Sequence, residues 1–126
     1  MFEHGAFKLK VEGRVLHTFP EGSFNQPGLV KYRQAVLDEV AGLSGWVLFE
    51  HPRNIAAVTN DALTELIDTY RQAQFKGCLG VACEVGAPFD SIISARLDDS
   101  IEMPVCFSQD EEQLRDFVSQ LLSASF

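Results

Sequence analysis

"LFEHPRNIAAVTNDALTEL", residues 48–66, decides how this chain is read. It begins inside a continuous apolar run, Trp46–Phe49, the pattern of a short central strand covered on both faces. Charge and proline follow at Glu50–Arg53. From Asn60 onward, Leu63, Leu66, Ile67 and Tyr70 recur at helical spacing. Thr59 or Asn60 is placed to cap that helix by accepting a backbone N–H bond, and Gly77 to stop it. In α/β proteins a strand-to-helix turn is a common docking place for ligands and partners. Glu50, His51, Arg53, Thr59, Asn60 and Asp61 are therefore the candidate docking residues.

Upstream, "FKLKVEG" (7–13) sets Phe7, Leu9 and Val11 against Lys8, Lys10 and Glu12, a half-buried strand with its lysines on an exposed face or edge. Glu12-Gly13 suits a tight turn into "RVLHTF" (14–19), which returns antiparallel and ends at Pro20 and Gly22. Asn25 and Pro27 open a helix with Leu29, Val36, Leu37, Val40 and Leu43 inward and Arg33 at its margin. Downstream, "CLGVACEV" (78–85) reads as a buried strand in which Gly80 allows close packing. "PFDSIISARL" (88–97) reads as a short helix with Phe89, Ile92, Ile93 and Leu97 inward. "MPVCF" (103–107) is a last strand, at an edge because Pro104 cannot donate to a ladder. Ser108 and Glu111 fit a capping box before a helix that buries Leu114, Phe117, Val118, Leu121 and Leu122.

The order β-β-α-β-α-β-α-β-α defines an α/β protein with a mainly parallel mixed sheet of about five strands, an antiparallel N-terminal hairpin strand and about four helices. One domain over residues 1–126 is expected, since 126 residues suit one core. The closing "SASF" ends on an apolar Phe126 that could fold back onto it.

Composition narrows the function. Hydrophobic residues make up 46% and charged residues 22%, an ordinary globular mix. The net charge is −8, and residues 77–126 carry 9 acidic against 2 basic side chains. An acidic surface repels phosphate backbones and anionic lipid heads, which argues against nucleic acid as a partner. No apolar run approaches the ~18 residues of a membrane span. "MFEHGAFKLK" lacks the apolar core of a secretory signal, so the cytoplasm is the expected compartment.

Chemical motifs are few. No G-x-G-x-x-G, P-loop, H-E-x-x-H or G-x-S-x-G is present. His51 beside Glu50 could act as a base or ligand, but no spacing supplies a nucleophile or a second ligand. Cys78 and Cys83, five apart on one strand, are expected on opposite faces, and with Cys106 to be small buried hydrophobes. Asp98, Asp99 and Glu102 read as a solvated loop without the EF-hand pattern. No cofactor and no metal are expected. Phe19, Phe24, Trp46 and Phe49 lie near strand ends and either fill the core or line a cleft for an apolar ligand.

The element order, together with "FPEGSFNQPGLVKYRQAVLDEV", "GWVLFEHP" and "FSQDEEQLRDFVSQLL", resembles the STAS fold of bacterial anti-sigma-factor antagonists over essentially the whole chain. Within it the chain is most similar to the small SpoIIAA-like proteins, whose fold is also compared with lipid-binding CRAL-TRIO (Sec14) domains. The resemblance implies a non-enzymatic regulatory module that binds a protein partner, or alternatively a carrier or sensor of a small apolar or lipid-like ligand. An enzyme using His51 is a remainder. Antagonists of this fold carry an Asp-Ser-x-Gly-Leu segment whose serine is phosphorylated. Pinning Leu63 to that leucine puts Thr59 at the aspartate, Asn60 at the serine and Ala62 at the glycine. An amide is no phosphate acceptor, which leaves Thr59 as the nearest hydroxyl and Thr64 one turn on. A marginal strand or apolar helix face could also pair two copies into a homodimer.

Overall fold

The computed structural model describes residues 4–124, so Phe126 lies outside the described residues. The chain runs β1 (Leu9–Glu12), β2 (Val15–Thr18), α1 (Gln26–Glu39), β3 (Trp46–Glu50), α2 (Asn60–Phe75), β4 (Cys78–Glu84), α3 (Phe89–Ser94), β5 (Val105–Ser108) and α4 (Glu111–Ala124). The strands form one sheet in the order β1-β2-β3-β4-β5. β1 pairs antiparallel with β2, and every other pairing is parallel. This is the mixed sheet that the strand–helix alternation implied, with β5 and its preceding Pro104 at one edge.

Local chemistry places the helices. Asn25 caps α1 by accepting from the Gly28 amide at 3.1 Å, and Pro27 sits in the first turn, where its missing N–H costs nothing. Thr59 caps α2 through the Ala62 amide, and Gly77 ends it at φ +92°, a conformation open to glycine. At α4 the capping-box expectation is corrected. Asp110, not Ser108, accepts from the Glu112 and Gln113 amides, while Ser108 supports the Asp110 amide. A carboxylate at that position also meets the positive end of the helix dipole.

The sheet divides two cores. α1, α2 and α3 cover one face, where Leu29, Tyr32, Val36, Ile67, Tyr70 and Ile93 meet Leu16, Leu48 and Val81. α4 covers the other, where Leu114 and Val118 meet Val47, Phe49 and Ala82. β3 is buried at every residue, as its unbroken apolar run required. Two inward assignments change. Tyr32 fills the inner face of α1 while Leu37 is only half-buried, and Ile92 of α3 is exposed.

Cys78 and Cys83 share a face, against expectation. Trp46 pairs with Cys78 and Val47 with Gly80, so Leu79 is an extra residue in β4. That bulge resets the alternation, because two successive residues then occupy one step of the pleat. Cys78 packs in the larger core, and Cys83 lies beside Glu50 on the same side. All three cysteines are free thiols.

Candidate functional site

The feature that stands out is a cavity of about 90 Å³ on the three-helix face, at the carboxyl ends of the parallel strands. α1 contributes Leu29 and Tyr32 to it, α2 contributes Leu63, Leu66 and Tyr70, and α3 contributes Phe89 and Ile93. Glu50 ends β3 on its wall, beside Cys83 and Val85. The rim is two connecting segments held together by backbone bonds. Arg53 N–H donates to Pro20 O at 2.8 Å, Phe24 N–H to Ala57 O at 2.9 Å, and Thr59 N–H to Phe24 O at 3.2 Å. Pro20, Phe24, Pro52, Ile55 and Val58 thereby become the outer lining.

One ionisable carboxyl lines these apolar walls. Glu50 is 4% exposed. Tyr70 donates to its Oε1 at 2.5 Å and Tyr32 to its Oε2 at 2.5 Å. Tyr32 Oη also bonds Thr18 Oγ1 at 2.9 Å, so β2, α1, β3 and α2 meet in one chain of hydroxyls ending on the carboxyl. Burial pushes Glu50 above its ordinary 4.5, against the hydroxyls of Tyr32 and Tyr70 and the Cys83 thiol, which favour the charged form. Burial, reinforced by the Glu50 charge, holds both tyrosines well above 10 and Cys83 well above 9.

The candidate docking residues are split by the structure. Glu50 and His51 are buried, which corrects their assignment to an exposed surface. Arg53, Thr59, Asn60 and Asp61 are exposed. Arg53 pairs with Glu84 at 2.6 Å. Arg96 ties down the start of α2, donating to Asn60 Oδ1 at 3.0 Å and to Asn60 O and Thr64 Oγ1 at 3.2 Å each. Thr59 Oγ1 is engaged by the Ala62 amide and by Asp61.

Of the four aromatics read as core or cleft residues, Phe24 alone lines the cavity. Strand alternation sends Phe49 to the α4 face, and Trp46 stands at the far end of β3 with its indole N–H on Lys76 O at 2.9 Å. Phe19 stacks on His51, which stacks in turn on Phe49 and His17. His17 Nδ1 and His51 Nε2 share a hydrogen bond of 2.8 Å. Burial lowers both imidazoles below 6.5, so they are neutral partners at pH 7. Glu50 points away from this stack, so the sequence-adjacent Glu50–His51 pair cannot act together. The carboxylates whose charge reaches His51 are Glu84 and Glu111.

The sequence reading missed Tyr32, Tyr70, Thr18 and Cys83 as a polar cluster. A usable signal existed: Tyr32 and Tyr70 each stand among inward apolar positions of a helix, and a buried tyrosine needs a partner for its hydroxyl.

A five-stranded sheet with a leading antiparallel strand, three helices on one face and one on the other is the SpoIIAA-like (STAS) architecture. The chain superposes on a DUF3478-family protein with a SpoIIAA-like fold from Shewanella loihica PV-4 with TM-score 0.65 and 11% identity, covering 94% of this chain and 96% of that one. It superposes equally on an anti-sigma factor antagonist from Mycobacterium paratuberculosis with TM-score 0.65 and 16% identity, covering 92% and 95%. No family model and no curated protein matches the sequence. At these identities the likeness establishes the fold alone. Among the described residues no helix is long and apolar enough to cross a membrane.

Proposed function

We propose that the chain is a non-enzymatic regulatory module that takes a small, mainly apolar ligand into the cavity and presents the occupied state to a protein partner. The observation that carries this reading is that cavity and surface share one segment. Pro52, Ile55 and Val58 line the cavity, while Arg53, Thr59, Asn60 and Asp61 of the same stretch face solvent. A ligand that props or tightens this segment changes what a partner meets. The ends of parallel strands are where α/β sheets commonly bind ligands, and an apolar cavity with a few convergent polar groups is the usual form of a small-molecule site. The anti-sigma factor antagonist among the structural neighbours supports the partner half of the reading. The cytoplasm is its proposed place of action.

Benzyl alcohol is a suitable probe, titrated into protein carrying labelled methyl groups. Saturable shifts are expected at Ile55, Leu63, Leu66 and Ile93, with Leu114 and Val118 on the opposite face unmoved. No saturable shift at the cavity methyls removes the ligand half. A partner co-purified from source cells should lose affinity for the Arg53→Ala, Asn60→Ala, Asp61→Ala triple variant. Unchanged affinity removes the surface.

A further inference from the structure

We propose that the cavity selects a ligand with a protonated amine head on a short apolar body, the amine held against Glu50. This rests on the reading of the cavity as a ligand site.

The argument starts from charge pairing. Buried carboxylates are ordinarily paired with a cation, because transfer of an isolated charge out of water is costly. Glu50 has hydroxyl donors on both oxygens, the arrangement that suits a carboxylate. Yet among the described residues it has no lysine, arginine or histidine within ion-pair distance. The groups that face it are Tyr32 from α1, Tyr70 from α2 and Cys83 from β4, with Thr18 of β2 behind Tyr32, all neutral at pH 7. The fold therefore supplies hydrogen bonds for a carboxylate and leaves out its counter-charge.

The cavity supplies room for that counter-charge. Tyr32, Tyr70, Phe24 and Phe89 bring four aromatic rings to its lining, and ring faces attract a cation and repel an anion. Apart from Glu50 and the Cys83 thiol, the remaining lining is aliphatic, which suits a hydrocarbon body and disfavours a second charge or a polyol. An anionic ligand would meet the carboxyl with like charge. Burial pushes the Glu50 carboxyl above its ordinary 4.5, and a cation beside it would favour its charged form. On binding, the ammonium and the Glu50 carboxylate form an ion pair, and any proton that Glu50 carried passes to solvent.

The test compares benzylamine with benzyl alcohol, which share one shape and differ in charge at neutral pH. Benzylamine should bind about tenfold more tightly, since a hydrogen bond to a charged group outweighs a neutral one. In Glu50→Gln, which keeps the side-chain shape, the two should bind alike. A measurement on the unaltered protein runs beside it: the pH at which the Glu50 carboxyl carbon titrates should fall with benzylamine and stay unchanged with benzyl alcohol. Equal binding of the two by the unaltered protein overturns the amine assignment and leaves the cavity reading standing. Retention of the preference in Glu50→Gln also overturns it. Binding of neither removes both.

Discussion

Tyr70 donates its hydroxyl to Glu50 Oε1 at 2.5 Å, fastening the middle of α2 to the end of the central strand. Tyr32 does the same for α1 on the other oxygen. One buried carboxyl thus sets how two helices seat on the sheet, and it does so at the wall of the cavity.

Removing one of these hydroxyls should therefore be felt globally. Tyr70→Phe and Tyr32→Phe each take a hydroxyl donor from the buried carboxyl, at a cost of about 1–3 kcal/mol. Tyr32→Phe also takes the partner from Thr18, so it should be the worse of the two. Urea unfolding midpoints measure both, and two unchanged midpoints would show that the hydroxyls do not carry the helix packing.

Stability should depend on pH in three windows. Glu50 has a folded pKa above its ordinary 4.5, so its contribution is full below 4.5 and is lost as pH rises through the folded value. His17 and His51 are depressed below 6.5, so their contribution is full above 6.5 and is lost as pH falls through their folded values. Cys78, pushed up to about 11, and Cys83, Tyr32 and Tyr70, also raised, stabilise the fold until pH climbs past the ordinary thiol value of 9.0. Unfolding free energies measured across pH in Glu50→Gln should lack the first slope and keep the other two.

Thiol reactivity should rank the cysteines. Cys78 and Cys83 are buried and Cys106 is half-buried, so an aromatic disulfide reagent should label Cys106 first in the folded protein. Mass mapping after partial labelling reads the order. Early reaction at Cys83 would mean that the cavity wall opens more readily than its packing suggests.

A methyl group at Gly80 has no room. A Cβ there would lie 2.6 Å from Leu121 Cδ1 and 2.8 Å from Pro104 O, between α4 and the start of β5. Gly80→Ala should cost about 1–3 kcal/mol by overpacking. A midpoint equal to that of the unaltered protein in chemical denaturation would contradict the packing of α4.

Arg96→Ala should loosen the first turn of α2 without unfolding the domain. Its three hydrogen bonds to Asn60 and Thr64 are exposed, which limits their worth to about 1 kcal/mol or less. Amide hydrogen exchange should quicken around Leu63 and Thr64 and stay constant in β3.

The sequence by itself determined the element order, the parallel sheet behind an antiparallel hairpin, the edge position of the last strand and a helix cap at Thr59 or Asn60. These follow from local causes: alternation of period two, helical spacing, and the backbone habits of proline, glycine and small polar residues. Only the tertiary structure decided the rest. Glu50 reads as a docking residue at the end of a strand until Tyr32 and Tyr70, 18 and 20 residues away, close over it. Cys83 reads as facing away from Cys78 until the extra residue Leu79 resets the pleat. Phe49 reads equally as a core or a cleft residue until α4 claims its face of the sheet. In each case burial is a property of several segments packed together, so no spacing within one segment could reveal it.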